Sequence, residues 1–599
     1  MFIRPRGMTR GWLPLDLPGL VFVLYAIVSA GWAVYPWSAY QFALNILCVG
    51  LVYYIMRCTG TEDAGGREAG FVLAVIMLAG TIQVSIEIFQ HFSGRPGRLW
   101  GSFANSNFLA DCLFFGLVAA LHFADRKTAA GFAVGKIPYM ALAALMGYGI
   151  YLTQSRAMAA VAAGVFIFLA GIRRGRGKYP YMVGAAVGGA LLLAAAASRF
   201  SASIDPYAFS RWNIWKAAWI TSVSHPFGVG LGGYKFFWPR FRDPIEGATF
   251  RYWKTADTAH SQFFGILSEL GFPGALLAVA AAVAVLILIR RESRREDRIL
   301  PLCLIPLGAM IHAFFDVNLD VPGIALPVAA CVALLANRNV RRESEAVHLP
   351  PVLRAGLSLL LLPCLAYSVA TYLGYNRYDS GLAHLKKGNT NVAMKEFSSA
   401  GRFDPLNSGY PDAVSSVYYR WFLQTGRPEY LAEGVNEEQQ AVAASPENSL
   451  HRSQAGFLLG ELAETVREED LRRVYREFSL SALDESLRKD PYNIVTWMRK
   501  AEILRRAGRE AESREALERL VAIEPNAVKA YLALARLEEA GNSRKAADLY
   551  RRAIALSHEL ENRRMDPSQR DFLRFDLPEV QRRLESLERG HFPSGPGGQ

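Results

Sequence analysis

Cysteine is scarce in this sequence and is missing from its last third. The chain has six cysteines in 599 residues, the last of them Cys364, and no Cys-x-x-Cys pair. A disulfide framework and a structural zinc site built from cysteine pairs are therefore excluded. All six cysteines lie in or beside apolar segments.

Charged residues are also scarce, but only in the first part of the chain. Residues 1–373 hold 51 of the 120 Asp, Glu, Lys and Arg residues and a net charge of +13, whereas 374–599 hold 69 and a net charge of −1. The excess positive charge accompanies the apolar part, so we expect no nucleic-acid partner despite the pI of about 9.3. The apolar composition also excludes a single soluble globular enzyme.

The apolar runs of residues 1–373 predict an all-α polytopic membrane domain. Each run approaches the 17–25 residues that a helix needs to cross a bilayer. The basic start, Met1 to Arg10, favours a signal anchor over a cleaved signal peptide. We predict eleven spans: 18–35, 38–56, 70–90, 103–124, 137–154, 157–171, 181–198, 260–289, 299–315, 321–337 and 354–373.

The distribution of Lys and Arg predicts the orientation of these spans. With a cytoplasmic N-terminus, 21 of the 32 basic residues of 1–373 fall in inner loops, and short outer loops hold only Arg95, Arg98 and Arg156. The other eight lie in one long outer loop, 199–259, and long loops obey the positive-inside rule weakly. An odd number of spans then places the C-terminal part outside, in the periplasm of a bacterial inner-membrane protein.

Residues 374–590 predict an α-solenoid of tetratricopeptide repeats. Asp490-Pro-Tyr-Asn493 and Glu524-Pro-Asn526 are breaks 34 residues apart, which is the period of this repeat. We expect two regular repeats over 495–560 and two or three irregular ones over 377–490, with earlier breaks at Asp404–Asn407 and Ser445–Asn448. The tail, 591–599, is expected to be disordered. Two roles are open for the solenoid, namely binding a protein partner and packing on the membrane domain.

Two motifs resemble ligand sites but lack the context that such sites need. Gly228-Val-Gly-Leu-Gly-Gly233 has the dinucleotide-type spacing Gly-x-Gly-x-x-Gly but follows no strand of a βαβ unit, so we interpret it as flexible backbone packed near the membrane surface. Asp316-Val-Asn-Leu-Asp320 resembles the start of a calcium loop but lacks its glycine and distal glutamate. We expect neither a nucleotide nor a metal here, and no cofactor.

Three polar residues at the outer face are the best candidates for chemistry. Arg156 lies in a short turn between two apolar spans, where the alternative is an interfacial anchor. Arg211 opens a helix whose tryptophans, Trp212, Trp215 and Trp219, share a face typical of the membrane interface. His260 lies where the long loop meets the eighth span, and imidazole is suited to taking a proton near neutral pH.

The remaining polar groups of this region are expected to be supporting. Glu269 faces away from His260 and is interpreted as a structural carboxylate. His312 and Asp316, one helical turn apart, can hydrogen-bond each other and are interpreted first as packing residues. Paired arginines bind diphosphates well, so a lipid diphosphate carrying a sugar is a suitable substrate on physical grounds alone.

These residues also fall within a set of motifs that resembles one family. The ordered set resembles the O-antigen ligase and O-antigen polymerase superfamily, including its relatives that attach glycans to proteins, over roughly residues 70–335. Several members carry tetratricopeptide repeats after the last span. The motifs are Gly101–Ala110 with Asn105, Thr153–Arg156, Arg211–Trp215, His225–Gly232, Ala259–Gly274 with His260 and Glu269, and His312–Asp316.

The resemblance implies a metal-independent, inverting glycosyltransferase of the GT-C membrane fold. Its donor would be a glycan on undecaprenyl diphosphate, and its acceptor a glycolipid, a glycan or a protein at the periplasmic face. Carried onto matching positions, His260 becomes the base and Arg156 and Arg211 become the diphosphate ligands. The alternatives are a protein O-oligosaccharyltransferase with the same donor chemistry and a lipid-linked glycan transporter or flippase.

Overall fold

The computed structural model has helices as its only regular secondary structure among the residues that it describes. These are 16–59, 67–95, 98–103, 105–129, 133–172, 210–294, 299–339, 351–561, 563, 565 and 567–589. The predicted span 181–198 and the predicted disordered tail lie outside them. The all-α class is confirmed for the described residues.

The first part of the chain is built from apolar helices with three short 3₁₀ turns between them. Four helices are long and apolar enough to cross a membrane, within Pro36–Arg57, Arg67–Phe92, Ser106–Ala124 and Gln262–Glu292. Five shorter apolar helices accompany them among the described residues. The helices are α1 (Asp16–Ser29), α2 (Pro36–Thr59), α3 (Arg67–Phe92), α4 (Ser106–Ala129), α5 (Ile137–Leu152), α6 (Arg156–Ile172), α7 (Ser210–Ser224), α8 (Tyr234–Phe241), α9 (Gln262–Glu292), α10 (Leu300–Ala313) and α11 (Pro322–Asn339).

These nine apolar helices match nine of the eleven predicted spans, and the count of eleven stays a prediction. Helix α3 shows why a membrane is needed: Phe71, Leu78 and Phe89 lie on one face and are 71%, 60% and 73% exposed. Such an exposed apolar stripe is typical of a lipid-facing surface.

Helix α9 is broken at Gly271, which has φ 68° and ψ −168°. Pro273 follows two residues later and cannot donate a helical hydrogen bond. The segment 226–230, which overlaps the start of the glycine-rich motif, replaces the lost bonds. The Val229 and Gly230 N–H groups donate to the Ser268 and Glu269 carbonyls, at 3.1 and 2.9 Å, and the Phe272 N–H donates to the Pro226 carbonyl at 2.9 Å. The backbone of 226–230 thus supplies the hydrogen bonds that the broken helix lacks, and we call this segment the glycine splint.

The last part of the chain forms five antiparallel helix pairs in succession. The two pairs within 494–560 and the three before them agree with the expected repeats. Helix α12 runs unbroken through residue 373, so the last predicted span and the first repeat helix are one element. The helices are α12 (Pro351–Lys386), α13 (Thr390–Phe403), α14 (Gly409–Thr425), α15 (Pro428–Ala444), α16 (Ser449–Thr465), α17 (Glu469–Lys489), α18 (Ile494–Arg506), α19 (Glu510–Ile523), α20 (Val528–Glu538), α21 (Ser543–Leu560), α22 (Pro567–Leu573) and α23 (Leu577–Glu588).

Candidate active site

His260 lies at the junction between the 210–259 segment and α9. Its backbone is left-handed, with φ 47°, and Gln154 at φ 52° is the other non-glycine residue with positive φ among the described residues. Such a conformation is uncommon for a side chain with a Cβ and often marks a functional site. The His260 side chain is 39% exposed, so a substrate can reach the imidazole.

Asp316 faces His260 from the turn after α10. Its Oδ1 lies 3.8 Å from His260 Nδ1, and its Oδ2 accepts a hydrogen bond from Asn107 Nδ2 at 2.7 Å. Burial alone would raise the pKa of Asp316, but His260, Asn107 and the Val317 N–H together lower it to about 2. A carboxylate that stays charged can orient the imidazole and stabilise its protonated form.

Asn107 connects this pair to an arginine. Its Oδ1 accepts from Arg98 Nη2 at 3.1 Å and from Ser155 Oγ at 2.8 Å. Asn105, at the start of α4, accepts the Asn107 N–H on its own Oδ1 at 2.9 Å. The predicted Asn105 therefore positions Asn107, and Asn107 makes the contacts to the site.

Arg98, Arg156 and Arg211 form a positive cluster around this network. Arg98 donates Nε to the Thr153 carbonyl at 2.9 Å and Nη2 to the Gln154 carbonyl at 3.2 Å. Burial lowers the pKa of Arg98, and the positive charges of Arg156 and Arg211 lower it further. Arg156 begins α6 and is exposed. The structure thus brings together the two predicted arginines and adds a third.

Helix α7 reaches the site through its central tryptophan. Trp215 stacks on Phe264 of α9 with ring centroids 5.4 Å apart, one turn beyond His260. Trp212 and Trp219 are 67% and 50% exposed, as expected for an interfacial helix. This stacking sets where α7 carries Arg211.

A buried polar cluster lies directly behind Asp316. His312 Nδ1 lies 2.7 Å from Asp111 Oδ2, which also accepts from Asn318 Nδ2 at 3.1 Å. All three side chains are fully buried. Helix α4 supplies a side-chain partner to each of the two residues that could have paired with each other, Asp111 to His312 and Asn107 to Asp316.

The other predicted residues lie near the site in structural roles. Glu269 Oε1 accepts the Tyr234 N–H at 3.4 Å and so braces α8. His225 Nδ1 lies 3.3 Å from the Thr221 carbonyl, and its ring packs against Phe237. The side chains of Asp316, Asn318 and Asp320 face three different partners, namely His260, Asp111 and Gln262, so this segment does not converge on a metal.

A cavity of about 490 Å³ opens between the 210–259 segment and the repeats. Asp257 lines this cavity and precedes His260 by three residues. The Cα atoms of the two residues are therefore at most about 11 Å apart. Lys235 Nζ lies over the Tyr35 and Phe236 rings, and burial lowers the pKa of Lys235. The lining combines aromatic and polar side chains, among them Trp37, Lys235, Phe236, Trp253, His451 and Tyr492.

Comparison with known proteins identifies one domain of the chain. The family model described as O-antigen ligase (Wzy_C) matches residues 141–279. The chain carries an O-antigen ligase domain. This domain contains Arg156, Arg211, His225, His260 and Glu269, and it supports a membrane ligase that transfers glycans. Arg98, Asn107 and Asp316 lie outside the matched range and reach the site through the fold.

No curated protein matches the chain. Among solved structures, the chain is similar to TTC0263, a thermophilic tetratricopeptide-repeat protein of Thermus thermophilus, with 17% identity over 35% of this chain and 99% of that one and a TM-score of 0.28. It is also similar to MamA of Desulfovibrio magneticus RS-1, with 12% identity over 32% of this chain and 97% of that one and a TM-score of 0.26.

Sequence reasoning missed Arg98, Asn107 and Asp111 as residues of this region. A signal existed for two of them. Arg98 is one of the few basic residues in short outer loops, and Asn107 belongs to the Gly101–Ala110 motif. Asp111 had no such signal, because a carboxylate inside an apolar helix reveals its partner only after folding.

Proposed function

We propose that the chain transfers a glycan from undecaprenyl diphosphate to an acceptor hydroxyl at the periplasmic face of the bacterial inner membrane. The observation that carries this proposal is the His260–Asp316 pair beside Arg98, Arg156 and Arg211. The reaction needs a base and a positive charge, and His260 and the arginine cluster supply them. The base activates the acceptor, and the positive charge stabilises the diphosphate as it leaves.

His260 takes the proton of the acceptor hydroxyl, and the acceptor oxygen forms a bond to the anomeric carbon of the donor sugar. The bond between that carbon and the diphosphate oxygen breaks, and the electron pair leaves with undecaprenyl diphosphate. Attack opposite the leaving group inverts the anomeric centre. Asp316 lies 3.8 Å from Nδ1 of the imidazole and stabilises the protonated ring by its charge, which leaves Nε2 as the atom that meets the acceptor.

The arginines divide into two roles. Arg156 and Arg211 bind the diphosphate, since guanidinium groups match phosphate oxygens in pairs. Arg98 donates to two backbone carbonyls and to Asn107, so it is a positioning residue. The Arg156 and Arg211 charges supply the leaving-group stabilisation that a metal ion provides in other transferases, which supports metal-independent transfer without a cofactor.

The cavity between the 210–259 segment and the repeats is where we place the acceptor. Its volume is within the range of small-ligand sites, and aromatic faces with a few polar groups suit a sugar or a glycosylated lipid. The repeats form its far wall. This favours a protein acceptor, so a protein O-oligosaccharyltransferase is the second candidate function. A lipid-linked glycan flippase would leave the glycan on its lipid.

The test uses proteoliposomes with undecaprenyl-diphosphate-linked glycan, candidate acceptors and a chelator. We expect the wild-type chain to consume the lipid-linked donor and label one acceptor. His260→Ala should lower the rate by about 10²–10⁴-fold, and Arg156→Ala should also abolish transfer at unchanged membrane levels. His558→Ala and Arg473→Ala, at exposed positions of the repeats, are the matched controls.

Normal transfer by the His260 or Arg156 variant would overturn the assigned roles. Glycan that changes leaflet while still on its lipid would identify a transporter instead. The labelled product decides among ligase, polymerase and protein glycosylation.

A further inference from the structure

Three successive repeat helices each direct a metal-binding type of side chain to one point. Asp412 comes from α14, Glu438 from α15 and His451 from α16. One ligand atom from each lies within 4.8 Å of the others. The three residues are far apart in sequence, so the stacking of the helices creates the cluster.

The imidazole of His451 is held with one nitrogen aimed at the carboxylates. Its Nε2 lies 3.0 Å from Ser408 Oγ. Its Nδ1 lies 3.7 Å from both Asp412 Oδ1 and Glu438 Oε2. These separations are too long for hydrogen bonds. They approach the ligand–ligand spacing of about 3.3 Å around a tetrahedral ion with bonds of about 2.0–2.1 Å.

The same atoms lack partners although they are buried. Glu438 is 0% exposed, and neither of its carboxyl oxygens nor His451 Nδ1 has a hydrogen-bond partner. Buried polar atoms are almost always paired, and an unpaired buried carboxylate is costly. The arrangement offers acceptors on all sides and needs a positive charge at its centre.

Arg499 is the nearby cation, and two of its donors point elsewhere. Its Nη1 donates to Ser453 Oγ at 3.0 Å and its Nη2 to Gln454 Oε1 at 2.8 Å. In the deprotonated forms that bind a metal, the imidazole and the two carboxylates together with Arg499 carry a formal net charge of −1. A dication would reverse that deficit, and the partly exposed Asp412, at 43%, opens a path from solvent.

We propose that Asp412, Glu438 and His451 bind a divalent transition-metal ion of the zinc type. One imidazole and two carboxylates are a donor set that zinc accepts, whereas Ca²⁺ and Mg²⁺ prefer oxygen ligands alone. The ion would pin three repeats together and is separate from the transfer chemistry at His260. The metal proposal does not rest on the proposed function. Because His451 also lines the cavity proposed for the acceptor, Glu438, which does not line it, is the residue whose substitution separates the two.

The experiment uses the full-length chain in detergent, purified without a histidine tag. The protein is stripped with chelator, dialysed against Zn²⁺ and freed of unbound ion. We expect about one zinc per chain by elemental analysis and a rise in the thermal midpoint on zinc addition. Glu438→Gln and His451→Asn should each lower zinc affinity at least tenfold. Glu433→Gln, at an exposed position of the same helix, is the matched control.

Cobalt provides a second measurement if a variant folds poorly. Co²⁺ bound to the wild-type chain and the Glu433→Gln control should give a visible absorption band, which a folded Glu438→Gln chain should lack. Substoichiometric zinc in the wild-type chain, or equal zinc in wild type and Glu438→Gln, would overturn the proposal. A thermal midpoint that follows pH but ignores zinc would show that a shared proton balances the cluster instead. Loss of zinc binding leaves glycan transfer at His260 as a separate result.

Discussion

At the residue scale, the site depends on the carboxylate of Asp316, which lies after the end of α10 and far from His260 in the sequence. Asp316 is 56 residues after His260 in the sequence, yet its Oδ1 lies 3.8 Å from the imidazole. The sequence indicated His260, Arg156 and Arg211, because polar residues at a membrane face are few and conspicuous. The sequence could not assign Asp316 to His260, because His312 was a nearer candidate partner, one helical turn away. The contacts of Asn107 and Asp111 arise only from helix packing.

Asp316→Asn should separate the orienting role of this carboxylate from general packing. The amide keeps the volume but cannot stabilise a protonated imidazole, so we expect the transfer rate to fall by about 10²–10⁴-fold with little change in donor binding. Because the pKa of Asp316 is lowered to about 2, the carboxylate is charged from pH 5 upward, so its protonation should not limit wild-type activity in that range. Kinetics across pH in proteoliposomes check both points.

Asp243→Asn is the matched control for that substitution. Asp243 lies in the 210–259 segment, which precedes His260. Its side chain is 37% exposed and pairs with Lys216. It should transfer glycan at the wild-type rate. Full activity in Asp316→Asn would remove the carboxylate from the mechanism.

At the element scale, the break in α9 and its glycine splint hold the loop and helix that carry His260. Gly228 has φ 82°, and a Cβ built there would lie 2.2 Å from the Glu269 carbonyl oxygen. The sequence suggested that this motif is packed backbone rather than a nucleotide site. It could not show that the motif repairs a helix, because the break at Gly271 and its bonding partners lie some 40 residues away.

Gly228→Ala should destabilise the chain by forcing the splint off α9. The strained backbone alone costs on the order of 1–3 kcal/mol, and the clash with the carbonyl adds to it. We expect a lower thermal midpoint in detergent and a loss of transfer. Gly265→Ala is the control, because it lies in α9 with nothing within 4 Å of the added Cβ. Equal midpoints for the two variants would contradict the splint.

At the scale of the whole molecule, every break between repeats contacts the membrane domain. Asp404 accepts Trp37 Nε1 at 2.6 Å, and Glu447 pairs with Arg240. The later breaks hold the 210–259 segment through Asp490–Arg242, Glu524 on the Arg251 N–H, and Tyr492 stacked on Tyr252 at 4.1 Å. The break motifs were legible in the sequence as repeat boundaries. The sequence could not show that these breaks form one edge that docks on the membrane domain, because the residues that they contact are scattered along the first part of the chain. Packing on the membrane domain is therefore present, and a further protein partner stays a proposal.

The Arg242–Asp490 pair tests this docking edge. Its atoms are 2.7 Å apart and both side chains are about 6–7% exposed. Arg242→Ala leaves a buried carboxylate unpaired, which costs about 3–5 kcal/mol, so limited proteolysis should release the repeat domain. Swapping the charges in Arg242→Asp with Asp490→Arg should restore resistance in part. Arg473→Ala, at the exposed Arg473–Asp470 pair, should change nothing, and identical digestion of all the variants would contradict the docking.

Helix α12 has a mechanical consequence. Its 36 residues form one element about 54 Å long. Its middle is fastened to α2 by the Gln41–Tyr367 contact at 3.3 Å, and its end belongs to the first repeat. A continuous rod clamped in this way fixes the height and tilt of the solenoid above the bilayer. The mouth of the cavity, which the repeats line, is therefore held at a set distance from α2. If the acceptor binds there as proposed, we expect the chain to select acceptors by how far their hydroxyl reaches from the membrane domain.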